Sequence, residues 1–175
     1  MSPSRKIALT GMMCALAAVL MALGGVIPLA TFCCPMIAGL TLIPVFVECG
    51  EKIAYGGYIV IALLSLLFCP DKEAALLFAF IGYYPVLRWR LDRIRKPALR
   101  VAAKLGIFNA AVISMYALCI FVLGMDAILR EYREMGMALT LVCLLLGNVA
   151  LLLYDRLLTI FTRIYVDRVR PKLLK

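Results

Sequence analysis

Long apolar runs fill most of this 175-residue chain and constrain its fold more than any motif does. Hydrophobic residues make up 65% of the sequence, charged residues make up 17%, and the mean hydropathy is +1.02. A soluble domain is about half apolar and about a quarter charged, so this composition excludes a soluble globular domain and a disordered chain. Because a membrane-spanning helix needs about 20 residues, the chain has room for about seven spans at most and for no sizeable soluble domain.

The apolar runs predict an all-α integral membrane protein, a bundle of six transmembrane helices that forms a single transmembrane domain. The predicted spans are residues 7–29, 36–47, 53–69, 73–87, 105–124 and 137–160. Spans two and three are short, so whether each crosses fully or re-enters is left open. No cleavage-site pattern follows the first span, and we expect it to be retained rather than removed as a signal peptide.

The basic residues predict the orientation of the bundle. With the N-terminus in the cytoplasm, 16 of the 19 lysines and arginines lie on the inner side, mostly in a cytoplasmic basic loop at 88–104 and a cytoplasmic basic tail at 161–175. This bias predicts that both the N- and C-termini are cytoplasmic. The net charge of +9 therefore reflects topology and contact with the lipid bilayer, and no nucleic-acid partner is expected.

The sequence lacks the residues and motifs that several common enzymatic and metal-binding sites require. The chain has no histidine, no G-x-x-x-x-G-K-[ST] phosphate-binding loop, and no G-x-S-x-G or H-E-x-x-H motif. We therefore expect no catalytic residue, no metal site and no cofactor, so the chain is not predicted to be an enzyme. The seven cysteines are interpreted as small buried hydrophobic residues, and a disulfide among Cys33, Cys34 and Cys69 is left open.

Small residues line one face of the first span. At about 100° per residue they fall within a narrow sector of the helix. We call this set the small-residue stripe: Ala8, Gly11, Ala15, Ala18 and Ala22. Small residues let another helix approach closely in lipid. Two interpretations stay open, because the stripe can pack within this chain's own bundle or dock on a partner protein.

Polar side chains inside the spans need partners, because an unsatisfied polar group at membrane depth is costly. Asn148 lies deep in the sixth span and is interpreted either as a helix–helix contact or as a substrate contact. Asn109 and Tyr116 share a face of the fifth span. Asp155, which precedes Arg156 near the predicted inner surface, is expected to form a local ion pair or to anchor the topology.

Two segments of this predicted bundle resemble one known family. They are residues Arg5–Ala22, which include the small-residue stripe, and Pro70–Phe78 running on to Gly82-Tyr83-Tyr84-Pro85. Both are similar to the S components of energy-coupling factor (ECF) transporters. These S components are the substrate-capture membrane subunits of a class of bacterial ABC importers. The length, the six spans and the cytoplasmic termini fit the same family, of which this chain resembles an uncharacterised branch.

The resemblance implies a function and a set of partners. It implies a multi-pass protein of the bacterial cytoplasmic (inner) membrane that binds a small micronutrient, a vitamin or cofactor precursor, from outside. It also implies docking on a membrane coupling protein that carries two cytoplasmic ATPase subunits. On this chain the partner-docking residues would be the small-residue stripe, and the loop Leu29–Pro35 would form an outer lid.

The resemblance also places the substrate pocket in the outer halves of the later spans. The substrate-binding residues that the resemblance implies for this chain are Asp71, Glu73 and Tyr116, with Asn148 nearer mid-depth. The simpler interpretation of Asp71 and Glu73 is a cap at a helix start, where negative charge is favourable.

Two other classes of function are kept as alternatives. A small membrane scaffold would bind another membrane protein through the stripe and would need no pocket. A membrane enzyme acting on lipid would use the Asp and Glu side chains as acid–base groups, but no paired-carboxylate motif in the sequence favours it.

Overall fold

The structure, a computed structural model, describes residues 3–24, 30–121 and 126–173, and every regular element in these ranges is helical. The long helices are joined by short turns. In chain order they are α1 (Pro3–Gly24), α2 (Ala30–Leu40), α3 (Leu42–Cys49), α4 (Glu51–Phe68), α5 (Lys72–Ile81), α6 (Tyr84–Leu91), α7 (Pro97–Phe121), α8 (Asp126–Ile164), a π-helical turn (Tyr165–Val169) and α9 (Arg170–Leu173).

Five helical stretches among the described residues are long and apolar enough to cross a membrane, judged by length and composition. They are Pro3–Gly24, Thr31–Cys49, Glu51–Phe68, Pro97–Ile120 and Leu139–Val169. The prediction of an all-helical chain is confirmed, and the five stretches indicate a multi-pass membrane protein. The predicted fourth span, residues 73–87, corresponds to the two shorter helices α5 and α6.

The break between α5 and α6 follows from the local sequence. A Cβ built on Gly82 would lie 2.5 Å from the Phe78 carbonyl oxygen, so no side chain fits where the chain turns. Pro85 then stands in the first turn of α6, where its missing N–H leaves no helical bond unmade.

A similar break divides the second stretch into α2 and α3. Pro44 has no N–H to donate to the Leu40 carbonyl, four residues earlier, and the helix is interrupted between them at Thr41. The Thr41 hydroxyl donates a hydrogen bond of 2.8 Å to the Ala38 carbonyl. The Thr41 hydroxyl at the break thus has a hydrogen-bond partner within the chain, which a polar group in an apolar environment requires.

Two segments predicted as loops are largely helical in the structure. In the basic loop expected at 88–104, α6 continues to Leu91 and α7 begins at Pro97, so only residues 92–96 lie between helices. The lid expected at Leu29–Pro35 is helical from residue 30 onward because the apolar run of α2 starts there; Leu29, with residues 25–28, lies outside the described residues.

One face of α1 packs into the core against α2 and α4. Cys14, Ala17 and Met21 are buried on this face, and Ala54 and Ile61 of α4 belong to the same cluster. Beside this cluster, the thiol of Cys69 donates to the Met21 carbonyl at 3.2 Å. Cys33, Cys34 and Cys69 are all free thiols in the structure.

The antiparallel course of the helices gives the bundle two ends, which we name after Asp71 and Lys104. At the Asp71 end, the Asp71 carboxylate caps α5 by accepting bonds from the backbone N–H groups of Glu73 and Ala74. Its second oxygen accepts a 2.7 Å bond from the Thr31 hydroxyl at the start of α2. The cap therefore also joins α2 to α5.

The Lys104 end is held by a buried ion network. Lys104, only 4% exposed, donates to Asp92 at 2.7 Å and to both carboxylate oxygens of Asp155 at 2.8 and 2.9 Å. The Arg88 guanidinium lies 2.9 Å from Asp155 and 3.3 Å from Asp92. The Tyr84 hydroxyl donates a further 2.9 Å bond to Asp155. Two cations thus face two carboxylates, and the network joins α6, α7 and α8.

This network corrects the expectation for Asp155. Its ion pairs in the structure are with Lys104 and Arg88 on two other helices rather than with its sequence neighbour Arg156. The reason is helical geometry, because adjacent residues on a helix point about 100° apart and do not face each other. Lys104, expected as one of the basic-loop residues, is therefore a helix–helix contact.

We expect Lys104→Met to lower the free energy of unfolding by about 3 kcal/mol, because loss of this buried cation leaves two carboxylates, Asp92 and Asp155, facing the single cation Arg88. The measurement is reversible unfolding in mixed detergent micelles. Lys96→Met is the matched control, since Lys96 is exposed in the turn between α6 and α7. Equal losses of unfolding free energy in the two variants would contradict the assignment of Lys104 to a stabilising ion network.

Candidate functional site

A cavity of about 520 Å³ lies between α2, α5, α7 and α8. Helix α7 contributes Phe108, Val112 and Tyr116, which are spaced four residues apart and therefore lie on one face. Helix α8 faces them with the small residues Gly147 and Ala150. Gly147 of α8 lies against the Phe108 ring of α7, and the cavity is the space beside this contact.

At Gly147 the wall of the cavity is formed by a residue without a side chain. A Cβ built there would lie 3.6 Å from the Phe108 ring, an ordinary contact distance, so glycine is not required by strain. A larger side chain would extend into the cavity. Gly147 is thus a position where the cavity volume can be changed by substitution.

The cavity lining is mainly apolar and contains no charged side chain among the described residues. Its hydroxyl groups belong to Tyr116, Thr140 and Tyr154. The Tyr154 hydroxyl donates a 2.9 Å bond to the Met36 carbonyl, which joins α8 to α2 on the floor of the cavity. The polar atoms therefore lie at separate points of an otherwise apolar surface.

Of the four residues predicted to bind substrate, Tyr116 lines the cavity. Its hydroxyl donates a 3.1 Å bond to Glu73, so these two predicted residues are brought together by α5 and α7. Asp71 is two residues away along the chain, where it caps α5 and bonds Thr31. Three of the four predicted residues, Asp71, Glu73 and Tyr116, therefore lie at the Asp71 end of the bundle.

Asn148 lies apart from that group, in a reciprocal amide pair with Asn109. Each side-chain amide donates to the other's oxygen, at 3.0 and 3.2 Å, and each also donates to the backbone carbonyl four residues before it. This is a helix–helix contact between α7 and α8, the first of the two interpretations of Asn148. Asp71, Glu73 and Asn148 do not line the cavity, and their role in substrate binding stays a prediction.

The small-residue stripe lies on the side of α1 that the bundle leaves open. Ala8, Gly11, Ala15 and Ala22 are exposed, and Ala18 is half-buried. A Cβ built on Gly11 would meet no atom within 4 Å. The core contacts of α1 are made instead by Cys14, Ala17, Met21 and Gly24, a set centred about 120° around the helix from the stripe. Packing within this chain's own bundle therefore does not account for the stripe.

A groove runs beside the stripe, between α1 and α4. It has a volume of about 720 Å³ and is bordered by Gly11 on one helix and Gly56 and Gly57 on the other. Gly56 is as open as Gly11, whereas a Cβ on Gly57 would touch the thiol of Cys14 at 3.5 Å. The open surface of α1 thus continues onto α4.

Sequence reasoning missed the residues that shape the cavity. Gly147 and Phe108 are unremarkable in an apolar run, and nothing in the sequence shows that their helices face each other there. The amide pair was missed because Asn109 and Asn148 lie on different predicted spans, and the sequence does not show which spans face each other.

The described residues contain no group of three or more His, Cys, Asp or Glu side chains placed to hold a metal ion. The carboxylates Asp92 and Asp155 share Lys104 and lie outside the cavity. The arrangement is suited to binding an apolar molecule and to helix contact.

No family model, no curated protein and no solved structure matches this chain. Its function is therefore inferred from its own residues, their geometry and the resemblance of its segments.

We expect Asn148→Leu to lower the free energy of unfolding by about 0.6 kcal/mol and by no more than about 1.7, the range for polar contacts between membrane helices. The single variant leaves the Asn109 amide without its partner. The double variant Asn109→Leu/Asn148→Leu removes both groups, so its loss should be smaller than the sum of the single losses. Val149→Leu, on the exposed side of α8, is the control. Additive losses would contradict a direct amide pair.

Proposed function

We propose that this protein is the substrate-capture subunit of an ECF-type importer in the bacterial cytoplasmic membrane. In this role it binds a small micronutrient from outside and docks on a membrane coupling protein with two ATPase subunits. The observation that carries the proposal is the open small-residue stripe of α1. A face of this kind, left unpacked by its own bundle, is the surface a partner helix needs for close approach in lipid.

The cavity supplies the second requirement of a capture subunit. It is bordered by α2, α5, α7 and α8, whereas the stripe is on α1. A ligand in the cavity and a protein on the stripe would therefore occupy different surfaces. Substrate binding and partner docking can then take place on one chain at the same time.

The proposed topology has six crossings with both termini in the cytoplasm. In it, α5 and α6 together form the fourth crossing, and the Lys104 end of the bundle is cytoplasmic. Support comes from the cations at that end, which include Lys6, Arg88, Arg90 and Arg170 in addition to Lys104. Cytoplasmic enrichment of lysine and arginine is the general rule for short loops of membrane proteins.

The energy source of this proposal must lie on other subunits. The chain has no phosphate-binding loop motif, so ATP hydrolysis would be carried out by the two cytoplasmic ATPase subunits. The part of this chain is to bind its ligand and to present the docking face.

A membrane scaffold without a ligand is the second candidate, and the exposed stripe favours it equally. The cavity distinguishes the two, because a scaffold has no use for a space of about 520 Å³ in its bundle. Cavities of this size are typical of small-molecule sites. The importer subunit is therefore the proposal that uses both features.

The test is purification of the tagged protein from native membranes in mild detergent, with its partners identified by mass spectrometry. We expect a coupling membrane protein and two ATPases. Gly11→Leu and Ala15→Leu should each reduce their recovery at least about tenfold, the effect of losing about 1.4 kcal/mol of contact energy.

The matched control is Ala110→Leu, which adds the same side chain to an exposed alanine of α7. It should leave recovery unchanged. Full recovery of the ATPases with both stripe variants would sink the docking assignment. Recovery of a different membrane protein and no ATPase would show the scaffold function instead.

A further inference from the structure

We infer that the ligand of the cavity is an uncharged, mainly apolar molecule that reaches its site from the bilayer rather than from water. This inference deepens the proposed function, since it names the class of substrate that the importer subunit would carry. It is drawn from the chemistry of the lining, the position of the charges and the side on which the cavity opens.

The described part of the lining favours an uncharged ligand. The described lining residues offer hydroxyls on Tyr116, Thr140 and Tyr154 and no charged group. An ion buried in such a site loses its hydration without a counter-charge, which is strongly unfavourable. A neutral apolar molecule loses little on entry and gains contact with the aromatic and aliphatic walls.

The charges at the Lys104 end of the bundle are engaged with one another. Lys104, Asp92, Asp155 and Arg88 form the closed network at one end. Glu73, at the other end, accepts a bond from Tyr116 and is not part of the lining. Among the described lining residues, polar selection would therefore come mainly from hydroxyl groups.

The size of the cavity sets the size of the ligand. A volume of about 520 Å³ falls within the range of about 300–1,000 Å³ that holds small organic molecules of drug size. The polar lining residues Tyr116 and Thr140 stand toward the Asp71 end, so the polar part of the ligand would lie there. Its apolar part would extend toward Gly147 and Tyr154.

The open side of the cavity faces apolar surroundings. Leu144 and Leu146 of α8 and Phe32 of α2 belong to the lining, yet all three are exposed. A rim of exposed leucine and phenylalanine in a membrane helix contacts lipid chains and not water. A molecule already dissolved in the bilayer therefore has direct access.

The experiment uses the full-length protein in lipid nanodiscs and the neutral photolabel trifluoromethyldiazirinyl-benzyl alcohol. Labelled residues are identified by mass spectrometry over a range of probe concentrations. Labelling of Val112 and Tyr116 in the cavity should saturate. Labelling of Ile113, which faces away on the same helix and is exposed, should rise in proportion to the probe. A proportional rise at Tyr116 as well would overturn the inference, because the cavity would then be ordinary bilayer.

Matched glycine variants test whether the cavity is the site. Gly147→Phe places a ring in the cavity, and Gly106→Phe places the same ring in open space on α7. We expect Gly147→Phe to raise the half-saturating probe concentration at least about tenfold, the scale on which one blocked apolar subsite acts. Gly106→Phe should leave it unchanged.

A second matched pair keeps the test valid if Gly147→Phe does not fold. Ala150→Phe changes an exposed lining residue, and Ala110→Phe changes an exposed alanine outside the lining. The lining variant should abolish saturation and the control should keep it. Unchanged saturation in both lining variants would overturn the site.

The preference for neutral ligands is tested with trifluoromethyldiazirinyl-benzoate, which carries the same photoreactive group and a carboxylate in place of the alcohol. We expect no saturable labelling of Tyr116 by this probe. Saturation by the benzoate at the same concentration as the alcohol would overturn the assignment to neutral ligands.

The inference and the proposed function fail in different ways. If the ATPases are recovered with the protein but the alcohol does not saturate Tyr116, the substrate class is wrong and the importer role stands. If the alcohol binds in the cavity and no ATPase is recovered, the ligand site stands and the importer role is wrong.

Discussion

The ammonium group of Lys104 is the contact on which the second half of the bundle depends. It bonds Asp92 at the end of α6 and Asp155 on α8 while itself lying on α7, so three helices meet at one buried atom. Apolar side chains do not drive helices together in lipid, because the lipid chains are equally apolar. Polar contacts of this kind therefore decide which helices are neighbours, and Arg88 balances the charge.

The position of this network explains where the cavity lies. Helices α7 and α8 are fixed at the Lys104 end by ion pairs and further along by the amides of Asn109 and Asn148. Beyond these contacts α8 is loosely covered, and Leu141 and Leu145 are more than half exposed. The space bordered by Tyr116 and Gly147 opens in this region, while α1 and its stripe remain on a separate surface.

The apolar runs were sufficient to predict an all-helical chain with several helices long and apolar enough to cross a membrane, and helical periodicity was sufficient to group the stripe on one face. Which face of α1 the bundle covers was not predictable, because Ala17 and Ala15 differ in their neighbours and not in their chemistry. The network was missed for a similar reason: Lys104 sits in a stretch rich in basic residues, and its partners are distant in sequence. The helix breaks at Thr41 and Gly82 had a signal in the prolines that follow them.

The central claim is that the stripe of α1 is the docking face for an importer's coupling subunit. The most direct measurement replaces Val19, a large exposed residue of α1 beside the stripe, with the photocrosslinking residue benzoylphenylalanine in living cells of the native host. The same replacement at Ile113, a large exposed residue of α7, is the reference. We predict a crosslink from position 19 to one membrane protein that co-precipitates two ATPases, and none from position 113. No crosslink from position 19, or the same crosslinks from both positions, would contradict the claim.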